Sequence, residues 1–417
     1  MDAAPRNAEP LPLAPTGLAD RYRATRALSE ALAAPLSDAD ATIQSMQDAS
    51  PAKWHLAHTT WFFETFLLRV RLPRYALHHA RYPFLFNSYY EAEGERIARF
   101  SRGMLSRPTL DEVLAYRRTV DAAMESLLDR DDCADLVALG IAHEQQHQEL
   151  LLTDIKHALF QNPLAPAMFA RSARAVEGGG DGWIEHPGGI AMIGHDGAGF
   201  SFDNEGPRHR VLLEPFALSR RLVTNGEWAA FIADGGYRTA SLWLSDGWAW
   251  VNGASGEGGC IRAPLYWHED EQFTHAGWQV RNPDAPVTHI SYYEADAFAC
   301  WAGQRLPTEF EWEALGRLEN ASGGDQLDSA SPVLPCATAS LFGSCWQWTR
   351  SGYLPYPRFR PAGGAVGEYN GKFMSGQFVL KGSSCATPRG HSRASYRNFF
   401  HPHQRWQFTG LRLAKDI

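Results

Sequence analysis

Residues 135–160, DLVALGIAHEQQHQELLLTDIKHALF, decide how the first part of this chain folds. They predict one helix, and on it His143 and His147 are four residues apart. That spacing places the two imidazoles on one face of a helix, about one turn apart, where both can bind a single metal ion. The alternative is a polar stripe that binds nothing.

Three earlier segments also have the composition and apolar spacing of helices. They are residues 18–32, a segment from Ser50 and Pro51 to about residue 70, and a segment that begins near residue 109. Ser50 is the predicted cap of the second segment, and Pro51 suits its first turn. Together with the first stretch they predict an antiparallel four-helix bundle over residues 17–165, with a loop at residues 71–107.

The second part of the sequence has a different character. Short apolar runs such as IAMIGH and RVLLEPF are broken by Gly, Pro, Asn and Asp every few residues. This pattern predicts a loop-rich α+β domain over residues 183–417. Residues 166–182, rich in Ala, Arg and Gly, are the predicted linker. Residues 1–16, rich in Pro and Ala, are predicted to be a flexible N-terminus.

The composition excludes several classes of protein. The chain has 417 residues, 39 Lys and Arg against 47 Asp and Glu, and a formal net charge of -8, which does not match a nucleic-acid-binding protein. Its six cysteines stand singly, which argues against a zinc ribbon or a disulfide scaffold and suits a reducing cytosol. We see neither a signal peptide nor an apolar run of about 18 residues, so we expect a soluble, cytoplasmic protein without membrane partners.

A third metal ligand is expected from the second helix, which contains Trp54-His55-Leu56-Ala57-His58. His55 and His58 are three residues apart, so either can face the interior of the bundle, although the aromatic residues that follow His58 favour His58. The same HExxH spacing also occurs in zinc proteases, where Glu144 would be the base. The downstream ligand pattern of the metzincins is absent here, so we favour a metal site shared between helices over a protease.

Several segments together resemble one known family. They are KWHLAHTTWFFETF (53–66), FNSYYEAEGER (86–96), HEQQHQELLLTDI (143–155), FDNEGPRHRVLLEPF (202–216), LVTNGEWAAFI (222–232), PVTHISYYEADAFACWAGQRLPTEFEWE (286–313) and YRNFFHPHQRWQFTGLRLA (396–414). The first three resemble the DinB-like bundle of the ergothioneine sulfoxide synthases, the EgtB type. The others resemble the formylglycine-generating-enzyme, or sulfatase-modifying-factor, domain of those proteins, which has a C-type-lectin-like fold. The resemblance covers nearly the whole chain.

The resemblance implies a non-haem iron(II) enzyme. The family binds iron through three histidines, which on this sequence are His58, His143 and His147. Three neutral ligands leave positions open for substrate and oxygen. Family members use oxygen as a co-substrate to join a chalcogen donor to C2 of the imidazole of hercynine (trimethylhistidine).

The resemblance also implies roles near the iron. Tyr89 and Tyr90 match a tyrosine pair of the cysteine-using branch and would act as catalytic proton or hydrogen-bond donors, or else would only pack. Gln146 would hydrogen-bond the substrate or orient a ligand.

Three further residues are implied to bind the substrates. Asn398 and Phe399 match the position that contacts hercynine, where an aromatic face attracts a trimethylammonium group. Arg96 would bind an anionic donor, or else form a surface ion pair.

The sequence departs from the family at the donor site. Phe400 and Gln404 stand where the branch that uses γ-glutamylcysteine has Asp and Arg, so we do not expect that donor. The family segment GNVWEW reads GSCWQW here, with Ser344 and Gln347 replacing Asn and Glu, so it does not support a structural calcium ion. These changes are compatible with the related selenoneine synthases (SenA type), which form a C–Se bond from a selenosugar donor and to which we lean. They are also compatible with the alternative, an ergothioneine sulfoxide synthase that uses cysteine.

Two rival functions are of other classes. A DinB-type zinc-dependent thiol transferase or hydrolase would use the same bundle without oxygen. A lectin-like binding module would explain the second domain, but it leaves the three histidines without a purpose.

Overall fold

The computed structural model describes residues 17–171, 176, 179–253, 260–336, 339–361, 363 and 370–417. The predicted flexible N-terminus, residues 1–16, lies outside the described residues, and so do residues 172–175 and 177–178 of the predicted linker.

The first half of the chain is helical. Its helices are α1 (Leu18–Ala33), α2 (Asp38–Thr42), α3 (Ala52–Phe63), α4 (Arg69–Arg71), α5 (Tyr82–Phe86), α6 (Leu110–Met124) and α7 (Ala134–Gln161). A π-helical turn, Glu64–Leu68, joins α3 to α4 without a break. The four predicted helices are α1, the α3–α4 run, α6 and α7, and α3 packs against the other three. The predicted loop contains α5 and two 3-10 turns.

The start of α3 differs from the prediction in one detail. Pro51, not Ser50, occupies the N-cap position, and no side chain caps the helix. The Ser50 hydroxyl instead accepts a 2.9 Å hydrogen bond from the buried Arg102 guanidinium, because a buried charged donor needs an acceptor. The backbone N–H of Ser50 donates to Asp154 at 2.8 Å.

The second half combines short strands with short helices. The strands are β1 (Trp183–His186), β2 (Gly189–Ile193), β3 (His209–Leu213), β4 (Phe216–Ser219), β5 (Trp267–His268), β6 (Glu271–Thr274), β7 (Gly277–Val280), β8 (Trp346–Gly352), β9 (Phe378–Lys381), β10 (Asn398–Phe400), β11 (Thr409–Gly410) and β12 (Ala414–Asp416). The helices are α8 (Asn225–Ala233), α9 (Ser245–Val251), α10 (Tyr292–Trp301) and α11 (Glu309–Gly316). Serine or threonine capping boxes begin α8, α10 and α11, which explains why such short helices form.

The strands form four small sheets. Their orders are β1-β4-β12, β10-β9-β8-β11, β2-β3 and β5-β6-β7, and all neighbours are antiparallel except β8 and β11. The predicted fold class, a helical bundle followed by a loop-rich mixed domain, is confirmed.

None of the described helices is both long and apolar enough to cross a membrane.

The two halves share one apolar core. A single cluster of buried residues runs from α1 and α3 into the second half. At the end of α7, the Phe160 ring contacts the rings of Tyr266, Phe273 and Trp278 at centroid distances of 5.0, 5.6 and 6.0 Å. The helix that carries the HEQQH segment is therefore fixed against the C-terminal half.

Part of the predicted linker is itself packed. The backbone N–H groups of Met168 and Phe169 both donate to the carbonyl oxygen of His275, and Met168 is buried. These contacts tie the segment after α7 to the C-terminal half.

Candidate metal centre

Three histidines from two helices converge in the bundle. His58 on α3 and His143 and His147 on α7 each offer a ring nitrogen, and these nitrogens all lie within 4.8 Å of one another. The ring centroids are 4.6 to 4.9 Å apart. The i, i+4 pair on α7 therefore shares a face with a histidine from the neighbouring helix, as one metal ion requires. We call these three residues the histidine cluster.

The ring of His58 is held in one orientation. Its Nδ1–H donates a 2.5 Å hydrogen bond to the carbonyl oxygen of Phe86. The ring is stacked between Trp54 and Trp61, with centroid distances of 4.6 and 5.5 Å. This bond leaves the lone pair on Nε2, which is buried and has no hydrogen-bond partner among the described residues. A bound cation would satisfy that nitrogen, so the site fits a metal.

The electrostatics of the histidine cluster favour neutral ligands. Burial lowers the pKa of all three histidines well below its usual value, and for His143 to about 3. The rings are therefore neutral at pH 7, as metal binding requires. The cluster found in the described chain contains no carboxylate, so a bound divalent ion would keep its full charge. Imidazole nitrogens suit first-row metals, including iron and zinc.

A cavity of about 310 Å³ lies beside the histidine cluster and between the two halves of the chain. From the helical half, its wall includes Tyr89, Arg99, Arg102, Gln146 and His147. From the C-terminal half, it includes Trp346, Tyr396, Asn398, Phe399, Phe400 and Gln404. Neither half encloses the cavity alone.

The predicted residues around the cavity have different positions. Tyr89 lines the cavity. The Tyr90 ring stacks on the Tyr89 ring, with 4.9 Å between the centroids, but Tyr90 does not line the cavity. Tyr90 is buried against Trp61, with 5.5 Å between the ring centroids. The Gln146 side chain lines the cavity and donates from Nε2 to the Tyr396 hydroxyl oxygen at 2.6 Å.

The two predicted hercynine contacts lie on β10. Asn398 and Phe399 both line the cavity. The Phe399 ring lies parallel to the Tyr353 ring at 4.0 Å, which fixes its orientation. Arg96 is elsewhere: it forms a 2.7 Å ion pair with the exposed Glu91 and does not line the cavity.

Comparison with known proteins decides the family. Residues 21–151 match the DinB superfamily, and residues 170–330 match the sulfatase-modifying factor enzyme 1-like domain. The hercynine oxygenase of Mycolicibacterium thermoresistibile is 34% identical over 432 residues, which cover 91% of this chain and 90% of that protein. The hercynine oxygenase of Mycobacterium tuberculosis is 32% identical over 416 residues, which cover 91% and 94%. This chain belongs to the hercynine oxygenase family.

The C-terminal half has a second set of relatives. The formylglycine-generating enzyme of Thermomonospora curvata is 37% identical over 158 residues, which cover 34% of this chain and 50% of that protein. The predicted resemblance to the EgtB-type family is confirmed: the matches to the hercynine oxygenases cover 91% of the chain, and each half matches the predicted domain family.

In this member of the hercynine oxygenase family, Glu144 faces away from the histidine cluster. Its carboxylate accepts hydrogen bonds from Arg26 and Arg117, both at 2.8 Å, and from Ser29 at 2.6 Å. Burial alone would raise the pKa of Glu144, but the two guanidinium groups outweigh burial and lower the pKa to about 2. The carboxylate is a structural anion on the α1 side of α7, so it cannot serve as the base of a zinc protease.

Sequence reasoning missed two arginines of this hercynine oxygenase homologue. Arg99 and Arg102 line the cavity, and Arg102 is buried with its guanidinium carbon 3.4 Å from the centre of the Trp54 ring system. Its guanidinium donates to the hydroxyls of Ser50 and Ser88. No carboxylate of the described chain forms an ion pair with it. The signal was the spacing of arginines at 96, 99 and 102, of which only the first was considered.

Sequence reasoning also missed Asp48 and Asp154, which line the same cavity. Asp48 accepts a 3.1 Å hydrogen bond from Gln404. Asp154 lies two turns beyond His147 on α7, where spacing gave no reason to select it. Its neighbour His55 was considered only as an alternative metal ligand, and the structure places it beside the histidine cluster.

Proposed function

We propose that this protein is an iron(II)- and oxygen-dependent oxidoreductase that joins a chalcogen donor to C2 of the imidazole of hercynine. The observation that carries the proposal is the position of the histidine cluster, beside a cavity whose walls come from both halves of a hercynine oxygenase homologue. A zinc-dependent thiol transferase would need only the bundle, and a lectin-like module would need only the C-terminal half.

His58, His143 and His147 would hold the iron. When bound, iron(II) supplies the redox chemistry with dioxygen, and three protein ligands leave positions open for that chemistry. In the reaction, the C2–H bond of hercynine and the Se–H or S–H bond of the donor are broken, and a C2–Se or C2–S bond forms. This step releases two protons and two electrons, which reduce dioxygen to the level of hydrogen peroxide; if the chalcogen is oxidised as well, it takes one oxygen atom and the other leaves as water.

The cavity wall suits hercynine. One face of the Phe399 ring is covered by Tyr353, and the part of the ring that lines the cavity would offer a cation–π contact to the trimethylammonium group. The side-chain amides of Gln146 and Asn398 line the same cavity and would hydrogen-bond the imidazole and the carboxylate. Because Gln146 immediately precedes His147, its contacts would also set the distance between the substrate and the iron.

Of the two tyrosines, Tyr89 is the one that we propose handles a proton. Its side chain lines the cavity, whereas Tyr90 is buried behind it. A phenol can donate a proton or a hydrogen bond to a developing charge, which a Phe at this position would not do. We therefore assign the proton role to Tyr89 and a supporting role to the ring of Tyr90.

For the donor, we propose a selenosugar. Phe400 and Gln404 line the cavity at positions where a charged pair would read γ-glutamylcysteine, and they offer an apolar face and an amide to a sugar instead. Cysteine is the second candidate, because Asp48 and Arg99 of the wall offer opposite charges to its amino and carboxylate groups.

The test is anaerobic loading of the protein with iron(II), followed by hercynine, oxygen and each donor separately, with the products read by mass spectrometry. A selenium-containing product from the selenosugar alone supports the first candidate, and a sulfur-containing product from cysteine supports the second. No coupled product with either donor, despite bound iron, overturns the proposal. The zinc-loaded protein is the control: thiol transfer or a hydrolase activity without oxygen would favour the rival class.

A further inference from the structure

Asp154 is the centre of a hydrogen-bond network beside the histidine cluster. Its Oδ2 accepts from the Ser50 backbone N–H at 2.8 Å and from His55 Nε2 at 3.1 Å. Its Oδ1 accepts from Trp406 Nε1 at 2.9 Å. Asp154 and His55 are both buried. Since the carboxylate has three donors and forms no ion pair with Lys or Arg in the described chain, its position is set by those donors.

The network determines which nitrogen of His147 can bind a metal. Asp154 accepts from Nε2–H of His55, and the tautomer that this bond selects carries its lone pair on Nδ1. That atom lies 2.8 Å from Nδ1 of His147. His147 must therefore donate from Nδ1, which leaves its Nε2 lone pair for the metal. The Phe86 carbonyl has the same effect on His58.

The two ligands are anchored in different parts of the chain. The anchor of His58 is a backbone carbonyl of the helical half. The anchor of His147 runs through His55 and Asp154 to the indole of Trp406 in the C-terminal half, 252 residues away from Asp154. Trp406 is buried, and its carbonyl oxygen accepts from His289 Nδ1 at 3.2 Å, so the indole is itself held in place.

We propose that His55 and Asp154 are positioning residues for the metal ligand His147, and that Trp406 makes the metal centre depend on the docked C-terminal half. The proposal rests on the metal-binding part of the proposed function and not on the identity of the donor. Partners that fix the ring of a metal-binding histidine typically contribute about 10- to 100-fold to metal affinity.

The test is titration of the full-length, metal-free protein with cobalt(II) under anaerobic conditions, followed by the visible absorption of the bound ion. We expect His55→Phe and Asp154→Asn to weaken cobalt binding about 10- to 100-fold and to change the ligand-field bands. His157→Phe is the matched control, because His157 is also buried on α7 but bonds Ser45, at 2.7 Å, and not the cluster. It should bind cobalt as the wild type does.

Trp406→Phe keeps an aromatic ring but removes the indole N–H together with part of the buried ring system, so the double variant with Asp154→Asn separates the hydrogen bond from the packing. We expect it to weaken cobalt binding by less than Asp154→Asn. In the double variant, the affinity should equal that of Asp154→Asn alone, because Trp406 acts through Asp154. Losses that add in full would overturn the role of Trp406.

Thermal melts of the metal-free variants separate loss of folding from loss of metal affinity. Asp154→Asn preserves the side-chain volume, so it still tests the positioning role if His55→Phe does not fold. Wild-type affinity and unchanged bands in the folded variants would overturn the positioning role. If the wild type binds cobalt and the variants lose it, but no donor couples to hercynine, the proposed function fails and the positioning role stands.

Discussion

Gln146 on α7 donates a 2.6 Å hydrogen bond to the hydroxyl oxygen of Tyr396, which comes just before β10. The bond joins the residue before the proposed metal ligand His147 to the segment that carries the predicted hercynine contacts, Asn398 and Phe399. A residue of the C-terminal half thus helps to orient the Gln146 amide, which is proposed to bind the substrate.

Tyr396→Phe removes the acceptor of this bond and leaves the ring in place. We expect kcat/KM for hercynine to fall about 2- to 10-fold, since a neutral hydrogen bond contributes about 0.5–1.5 kcal/mol. Steady-state kinetics with hercynine as the varied substrate measure the effect. Tyr293→Phe, which removes a hydroxyl outside the cavity, is the control, and equal kinetics for the two variants would contradict the role of the bond.

Glu144→Gln tests the structural role of the glutamate in the HEQQH segment. The change removes the carboxylate that the buried Arg26 and Arg117 share, although Arg26 keeps Asp121 at 2.7 Å and Arg117 keeps Glu30 at 3.5 Å. Loss of one partner of a buried ion pair costs about 3–5 kcal/mol when no other partner remains. Because both arginines keep a partner, we expect the free energy of unfolding, measured with urea, to fall by less than that but by more than about 1 kcal/mol. Glu125→Gln, which breaks an exposed pair with Arg23, should change it little. Unchanged stability of Glu144→Gln would show that the carboxylate is not a structural anion.

The GSCWQW segment, residues 343–348, is not expected to bind calcium, so calcium should not stabilise the protein. Oε1 of Gln347 accepts from Trp312 Nε1 at 2.8 Å and from Arg412 Nε at 3.1 Å, and its Nε2 donates to the Leu341 carbonyl oxygen. Burial lowers the pKa of Arg412 only to about 10, so a positive charge stays beside the amide at neutral pH. Added calcium should leave the Tm of the metal-free protein unchanged. A Tm that rises with calcium would contradict this expectation.

Lys156 should make stability depend on pH. Burial lowers the pKa of Lys156 to about 7, and its ammonium group lies 2.7 Å from His289 Nε2 without an ion-pair partner in the described chain. The pKa of a lysine in an unfolded chain is about 10.4. Between pH 7 and that value, the unfolded chain therefore binds more protons than the folded protein does. The stability gained because Lys156 is neutral in both states is complete above the pKa of the unfolded chain. It is lost as the pH falls toward 7, because the unfolded chain then gains a proton that the buried amine does not.

The free energy of unfolding should therefore rise with pH in this window, by at most about 1.4 kcal/mol per pH unit from Lys156. Urea unfolding of the wild type and of Lys156→Met at several pH values isolates this slope. Lys415→Met is a control, because Lys415 lies over the Trp183 ring at the edge of a sheet. Equal slopes for the wild type and Lys156→Met would refute the prediction.

The parts of the structure that depend on local spacing were predictable. The four helices and the i, i+4 pair of His143 and His147 follow from residues close together in the sequence. The cap of α3 was predicted wrongly because Ser50 bonds Arg102, which is 52 residues away. The network from His147 to Trp406 depends on a contact across 252 residues, which no local pattern records.

The cavity between the halves also bears on how such enzymes diversify. The wall proposed to contact the donor includes Arg99, Phe400 and Gln404, none of which belongs to the histidine cluster. Under the proposed function, substitutions in this wall would change the accepted donor and leave the three histidines unaltered. The choice of donor and the binding of the metal would then be able to evolve separately.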